Sequence, residues 1–215
     1  MSGTRSTSLV FVNPVVAAFD VDGTLTVRDC VFPFLARVGR ARFIVRLCMR
    51  APRIVRLVAA RDRNGLKELC VAASLGGQSV EAIESAGAQF AAQVAGSWMR
   101  DDVCRRLRWH QDEGHVVVLV SASLSPYLLP LGDLPEVDAV LCTEPEEENG
   151  VYTGALRGAN CRAGEKLERL RAWAAGAGIT GDDWLQYAYG DSAGDTVMLG
   201  AATNGINVSK VEVPA

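Results

Sequence analysis

Two aspartates one residue apart, Asp20 and Asp22, follow an apolar run from Pro14 to Phe19 and lead into Gly23, Thr24 and Thr26. A buried strand that runs straight into carboxylates carries charge to the rim of a sheet, where a ligand can reach it. Carboxylates this close repel one another unless a cation lies between them, and an all-oxygen donor set suits a hard ion such as Mg²⁺. Gly23 permits a sharp turn after the second Asp. Asp-Gly after a strand is also a common hairpin turn, so this stretch alone supports two readings. Three later segments bear on the choice. The apolar run Val116–Val120 ends in Ser121-Ala122-Ser123, and Leu185–Tyr189 ends in Gly190-Asp191-Ser192-Ala193-Gly194-Asp195. Between them, Lys166 lies near the start of an amphipathic helix. No Ser/His/Asp arrangement is visible, but a carboxylate can itself act as a nucleophile.

Asp-x-Asp-x-Thr, then Ser, then Lys, then Gly-Asp-x-x-x-Asp, in that order from Val15 to Asn207, resembles the haloacid dehalogenase (HAD) superfamily. The resemblance implies an α/β fold: a Rossmann-like parallel sheet core with an inserted α-helical cap. It also implies a Mg²⁺-dependent phosphatase that acts on a small-molecule or lipid phosphate monoester through an aspartyl-phosphate. Asp20 would be the nucleophile and Asp22 the general acid, then the base. Asp20, the Asp22 main-chain carbonyl and Asp191 would hold the metal, with Asp195 orienting a ligand beside it. Ser121, Ala122 and the Gly23 amide would face the phosphate, with Thr24 fixing the loop and helping to bind it. Lys166 would offset phosphoryl charge, although spacing leaves Arg162 as an alternative. The acid at position 22 separates phosphatases and mutases from carbon–halogen hydrolases, and a mutase or phosphotransferase stays open.

A helical insertion after the first motif resembles the phosphoserine-phosphatase-like branch, subfamily IB. There, an acidic residue nine positions after the nucleophile meets the substrate amine; here it is Asp29. Gly23 stands where that branch's phosphoserine enzymes carry Ser, and Gly194 where they carry Asn. The substrate is left open among phosphoserine, histidinol phosphate, lysophosphatidate and others.

The 215 residues, 49% apolar and 22% charged, describe a globular chain. The six cysteines show no CxxC, and with only two histidines a zinc site is not expected. Residues 1–8 read as a disordered tail without the apolar core of a signal peptide, and no apolar run is long enough to span a bilayer, so a cytoplasmic protein is expected. Residues 9–29 and 105–215 are expected to form the core and 30–104 the cap, broken by Pro33, Gly39, Pro52, Gly76-Gly77 and Gly96. Further strands are expected over Val15–Phe19, Ala139–Cys142, Val151–Leu156 and Gly205–Val208, and helices over Gly164–Ala175 and Ala193–Ala202. Glu144–Glu148 reads as a solvated acidic loop.

Charge is uneven. Arg37 to Arg63 carries nine Arg and one Asp, while the whole chain is −3, which leaves −11 on the remainder. Arg42, Arg46, Arg50, Arg53 and Arg56 would share one helix face, with Phe43, Ile44, Leu47, Ile54, Leu57 and Val58 on the other. A solvated arginine face over a core-facing apolar stripe is one expectation; contact with anionic lipid is another, including as a non-enzymatic peripheral protein that keeps the fold. With few aromatics among the arginines, nucleic acid is not expected.

Overall fold

The computed structural model describes residues 14–133, 135–181, 183–211 and 213; the tail read over 1–8 lies outside them. Strand β1 (Val16–Phe19) is followed by an irregular turn, Val21–Leu25, and five helices: α1 (Val31–Met49), α2 (Ala51–Ala59), α3 (Arg63–Ser74), α4 (Val80–Ser97) and α5 (Asp101–Asp112). Then come β2 (Val116–Leu124), α6 (Ser125–Asp133), β3 (Ala139–Thr143), the hairpin β4 (Pro145–Glu148) and β5 (Val151–Leu156), α7 (Gly164–Gly176), β6 (Leu185–Gly190), α8 (Thr196–Ala201) and β7 (Asn204–Asn207).

The main sheet is wholly parallel, in the order β3-β2-β1-β6-β7. The central strand β1 and the Val116–Val120 part of β2 are apolar and buried throughout because helices cover both faces, while the edge strand β7 is partly exposed. On β1, Ala17 and Phe19 join the core shared with α1 and α4, while Val16 and Ala18 face the core of α7 and α8. The same alternation divides Val117 and Leu119 from Val116, Val118 and Val120 on β2. Both neighbours of β1 run parallel to it, which excludes the hairpin reading of Asp20–Gly23. From β1 the chain leaves to β2 on one side and returns to β6 on the other. The carboxyl end of β1 is therefore the point of the sheet where a crevice opens.

Three expectations are corrected. Strand β2 continues through Ser121 to Leu124, past the apolar run that ends at Val120, and the next helix starts at Ser125. Pro145–Glu148 forms an edge strand on β5 rather than a loop; its backbone pairs while three glutamates stay exposed. The arginine row does not face solvent as a unit. Arg42 donates to the Ser74 carbonyl and Arg46 to Ala73 and Gly76, satisfying carbonyls at the end of α3 that the helix itself leaves unpaired. Ile44 and Val58, expected on the core side, are exposed instead.

α5 is tied to the sheet through buried polar groups. Arg106 Nε donates to the Tyr189 hydroxyl at 2.8 Å, which lies 2.9 Å from His110 Nε2, and His110 Nδ1 lies 2.8 Å from His115 Nδ1. With Tyr189 donating to His110 and His110 donating to His115, these contacts are satisfied with both imidazoles neutral. Burial first, then the nearby Arg106 and His115, pull the His110 pKa from 6.5 down to about 3. Between these values the unfolded chain binds a proton at this position that the folded chain refuses, so stability falls as pH drops below 6.5. Urea unfolding should show His110→Gln less stable than wild type at pH 7. The gap should narrow by roughly 1–2 kcal/mol on going to about pH 5, because only wild type carries this proton penalty.

Candidate active site

The chain turns at the end of β1 so that its carboxylates point into a cavity of about 360 Å³ at the carboxyl edge of the sheet. Asp20 is buried at its floor. Its Oδ1 meets Lys166 Nζ at 2.5 Å and its Oδ2 accepts from Thr24 Oγ1 at 3.1 Å. Lys166, brought from the first turn of α7, also meets Asp195 Oδ1 at 2.5 Å, and Asp195 Oδ2 accepts from the Ser192 amide and hydroxyl. Gly23 has φ +81°, a conformation that strains any residue with a Cβ, and a Cβ there would collide with the Asp191 carboxylate. The glycine thus serves both the turn and the space that Asp191 occupies.

Carboxylate oxygens of Asp20, Asp191 and Asp195 lie within 4.8 Å of one another. Three carboxylates around one ammonium leave excess negative charge in a buried place. Burial pushes the Asp20 pKa up to about 7, opposed by Lys166, and burial together with Asp195 raises that of Asp191. The all-oxygen donor set and this charge excess fit a hard divalent cation. For Lys166, burial is outweighed by Asp20 and Asp195, and its pKa is raised. Arg162 lines the cavity but makes no ion pair among the described residues, so the geometry favours Lys166 as the cation beside Asp20.

The side chain of Asp22 is held apart from the acidic group. Its Oδ2 accepts from Ser123 Oγ at 2.6 Å and its Oδ1 from the Cys30 amide at 2.8 Å. Only its main chain remains for a metal, as the resemblance implies. Burial, then Asp29, raises its pKa, so it keeps a proton to higher pH than an ordinary aspartate. Ser121 and Ala122 line the cavity from β2, and Asp29 lines it while accepting from the Phe32 amide at 3.1 Å. Thr24 lies beneath Asp20, fully buried, as a support for that carboxylate.

A haloacid dehalogenase-like hydrolase family model matches residues 17–200. The chain belongs to the haloacid dehalogenase-like hydrolase family. It is 35% identical over 191 residues to protein CicA of Caulobacter vibrioides, covering 88% of this chain and 83% of that one. A protein of unknown function from Bordetella pertussis Tohama I superposes with a TM-score of 0.75 at 27% identity, over 88% of each chain. A phosphoaspartyl intermediate analogue of phosphoserine phosphatase gives 0.61 at 19% identity, over 88% of this chain and 83% of that one, and shows a shared HAD fold.

Three side chains at this HAD site were not singled out in the sequence. Lys67 reaches across from α3 to Thr143 Oγ1 at 3.0 Å, Asn160 Oδ1 at 2.6 Å and the Ala122 carbonyl. Burial lowers its pKa to about 8. Tyr127 donates to Ser123 Oγ at 2.7 Å, behind the bond that Ser123 gives to Asp22. Arg100, paired with Asp102 at 2.7 Å, braces the turn through the Gly23 carbonyl. Only the i, i+4 spacing of Arg63 and Lys67 hinted that α3 sends cations to one side.

Lys166→Met removes the single ammonium between two buried carboxylates. Urea unfolding at neutral pH without added metal should show a loss of roughly 3 kcal/mol or more, and a loss under about 1 kcal/mol would mean that the pair does not hold the site together.

Proposed function

We propose that the chain is a Mg²⁺-dependent phosphatase that hydrolyses a small phosphate monoester through an aspartyl-phosphate on Asp20. The observation that carries this reading is the placement of Asp20: a buried carboxylate on a strand end, held by Lys166 and Thr24, opening onto a cavity beside Ser121. No histidine lines the cavity to activate a Ser or Cys among the described residues, and the Ser192 hydroxyl is bonded to Asp195, which is itself paired with Lys166.

Asp20 attacks phosphorus, and the bond to the leaving oxygen breaks. Asp22, whose pKa burial raises, gives that oxygen its proton. Asp22 then takes a proton from water as the water attacks the aspartyl-phosphate, releasing inorganic phosphate and restoring Asp20. Ser121 and the Gly23 amide hold phosphoryl oxygens, and Lys166 offsets their charge. Asp20, Asp191 and the Asp22 carbonyl would hold Mg²⁺, with Asp195 orienting its surroundings; the ion would supply Lewis-acid charge to the phosphoryl oxygens.

Above the carboxylates the cavity is lined by Val31, Phe32, Leu35 and Leu66, with Arg63 and Lys67 at the same wall. This lining supports a substrate whose leaving group is partly apolar, with any further charge on it negative. Asp29 is the one carboxylate on the wall that could meet an amine.

Hydrolysis of p-nitrophenyl phosphate should require Mg²⁺ and fall at least about a thousandfold in Asp20→Asn. Activity that survives this change excludes Asp20 as the nucleophile. Ser123→Ala removes a hydrogen bond that favours the ionised Asp22, so the Asp22 pKa rises. The alkaline limb of the pH–rate profile should then move to higher pH; a limb that stays in place removes Asp22 from the acid role.

A further inference from the structure

Helices α1 and α2, joined through Arg50 alone, expose apolar side chains where a water-facing surface would show polar ones. Ile44, Val45, Met49, Val55 and Val58 are each between 55% and 77% exposed, and they are five of the eleven large hydrophobic residues exposed among the described ones. Leu57 alone on α2 is buried. Part of the arginine row has turned inward onto the α3 carbonyls, which leaves these apolar groups facing out. A concentration of this kind marks a surface that something covers.

Charge identifies the cover. No carboxylate occurs between Asp29 and Asp62. Arg40, Arg53, Arg56, Arg61 and Arg63 are exposed, and none of the arginines from Arg37 to Arg63 forms an ion pair with a carboxylate among the described residues. An apolar protein partner would leave these guanidinium groups without counter-charge, and so would a second copy of the same positive segment. An anionic bilayer surface answers both features: acyl chains for the apolar groups and phosphates for the arginines. No described helix is long and apolar enough to cross a membrane, so contact of this kind is in the plane of the interface.

We propose that the α1–α2 segment docks on an anionic lipid surface, with Val55, Val58 and Met49 entering the headgroup boundary and Arg53 and Arg56 on lipid phosphates. The docking face adjoins the active-site cavity: Arg63 and Leu66 line both that cavity and a shallow groove with Leu57, Val58 and Arg61. Docking does not depend on which reaction the cavity performs.

The test is flotation of the full chain with vesicles of phosphatidylglycerol in phosphatidylcholine, and with phosphatidylcholine alone. Wild type should float with the first and not the second, and release as salt rises. Arg53→Glu with Arg56→Glu, and separately Val55→Ser with Val58→Ser, should each lower partitioning by about tenfold or more. Thermal melting and p-nitrophenyl phosphate hydrolysis should match wild type; if one pair of changes unfolds the chain, the other decides. Absence of flotation at low salt, equal binding to both vesicles, or unaltered flotation of a folded variant overturns the proposal. So does a dimer that Val55→Ser with Val58→Ser dissociates while wild type ignores vesicles, since that result gives the face to a second copy.

Discussion

Two buried carboxylates, a half-buried third and one ammonium at the end of a parallel sheet set the terms for the rest of the molecule. Removing a carboxylate from water costs several kcal/mol even after relaxation, so each must be repaid by contact with a partner. Asp20 and Asp195 share Lys166, and Asp195 also takes the Ser192 amide and hydroxyl. Asp191 has the most access to water of the three. The remaining excess appears as an Asp20 pKa near 7, a carboxyl reluctant to ionise. A divalent cation would reverse that reluctance by supplying the missing charge, and this is the physical argument for a metal-assisted nucleophile.

The topology supplies the convergence. Residues 20, 121 and 191 are remote in sequence but belong to β1, its neighbour β2 and the end of its other neighbour β6. Parallel strands bring their carboxyl ends to one edge, so three apolar runs that each end in polar residues meet there without any long loop. Lys166 arrives by a different route, from the first turn of a helix packed against the opposite face of the sheet from α1 and α4.

This difference explains what could be read from the sequence. A strand buried on both faces is a short continuous apolar block, and its end is visible as the first charged residue; Asp20, Ser121 and Asp191 were legible for that reason. The arginine spacing of 4, 4, 3 and 3 rightly indicated a shared face, but not which way it turns. The acceptors that draw Arg42 and Arg46 inward are main-chain carbonyls of Ala73, Ser74 and Gly76, whose orphan state depends on where α3 stops. Pro145–Glu148 was unreadable as a strand because an edge ladder uses backbone groups and leaves its glutamates in water. Lys67 and Tyr127 lie in helices where a lysine reads as solvated and a tyrosine as core; their roles arise only when the inserted helices meet the sheet.

That meeting couples the inserted helices to Asp22. Phe34 from α1 and Phe90 from α4 pack on Tyr127 with ring centroids 4.8 and 5.3 Å away, and a Cβ on Gly87 of α4 would collide with the Pro126 carbonyl. The packed ring fixes the Tyr127 hydroxyl, which orients Ser123, which holds Asp22. Lys67 makes the second connection, from α3 to β2, β3 and Asn160, and its partners there are neutral oxygens. An ammonium buried against dipoles alone is less well compensated than one paired with a carboxylate, and its pKa of about 8 reflects that. The aromatic connection is therefore fully buried, whereas the lysine connection sets an ammonium with neutral partners on the wall of the cavity.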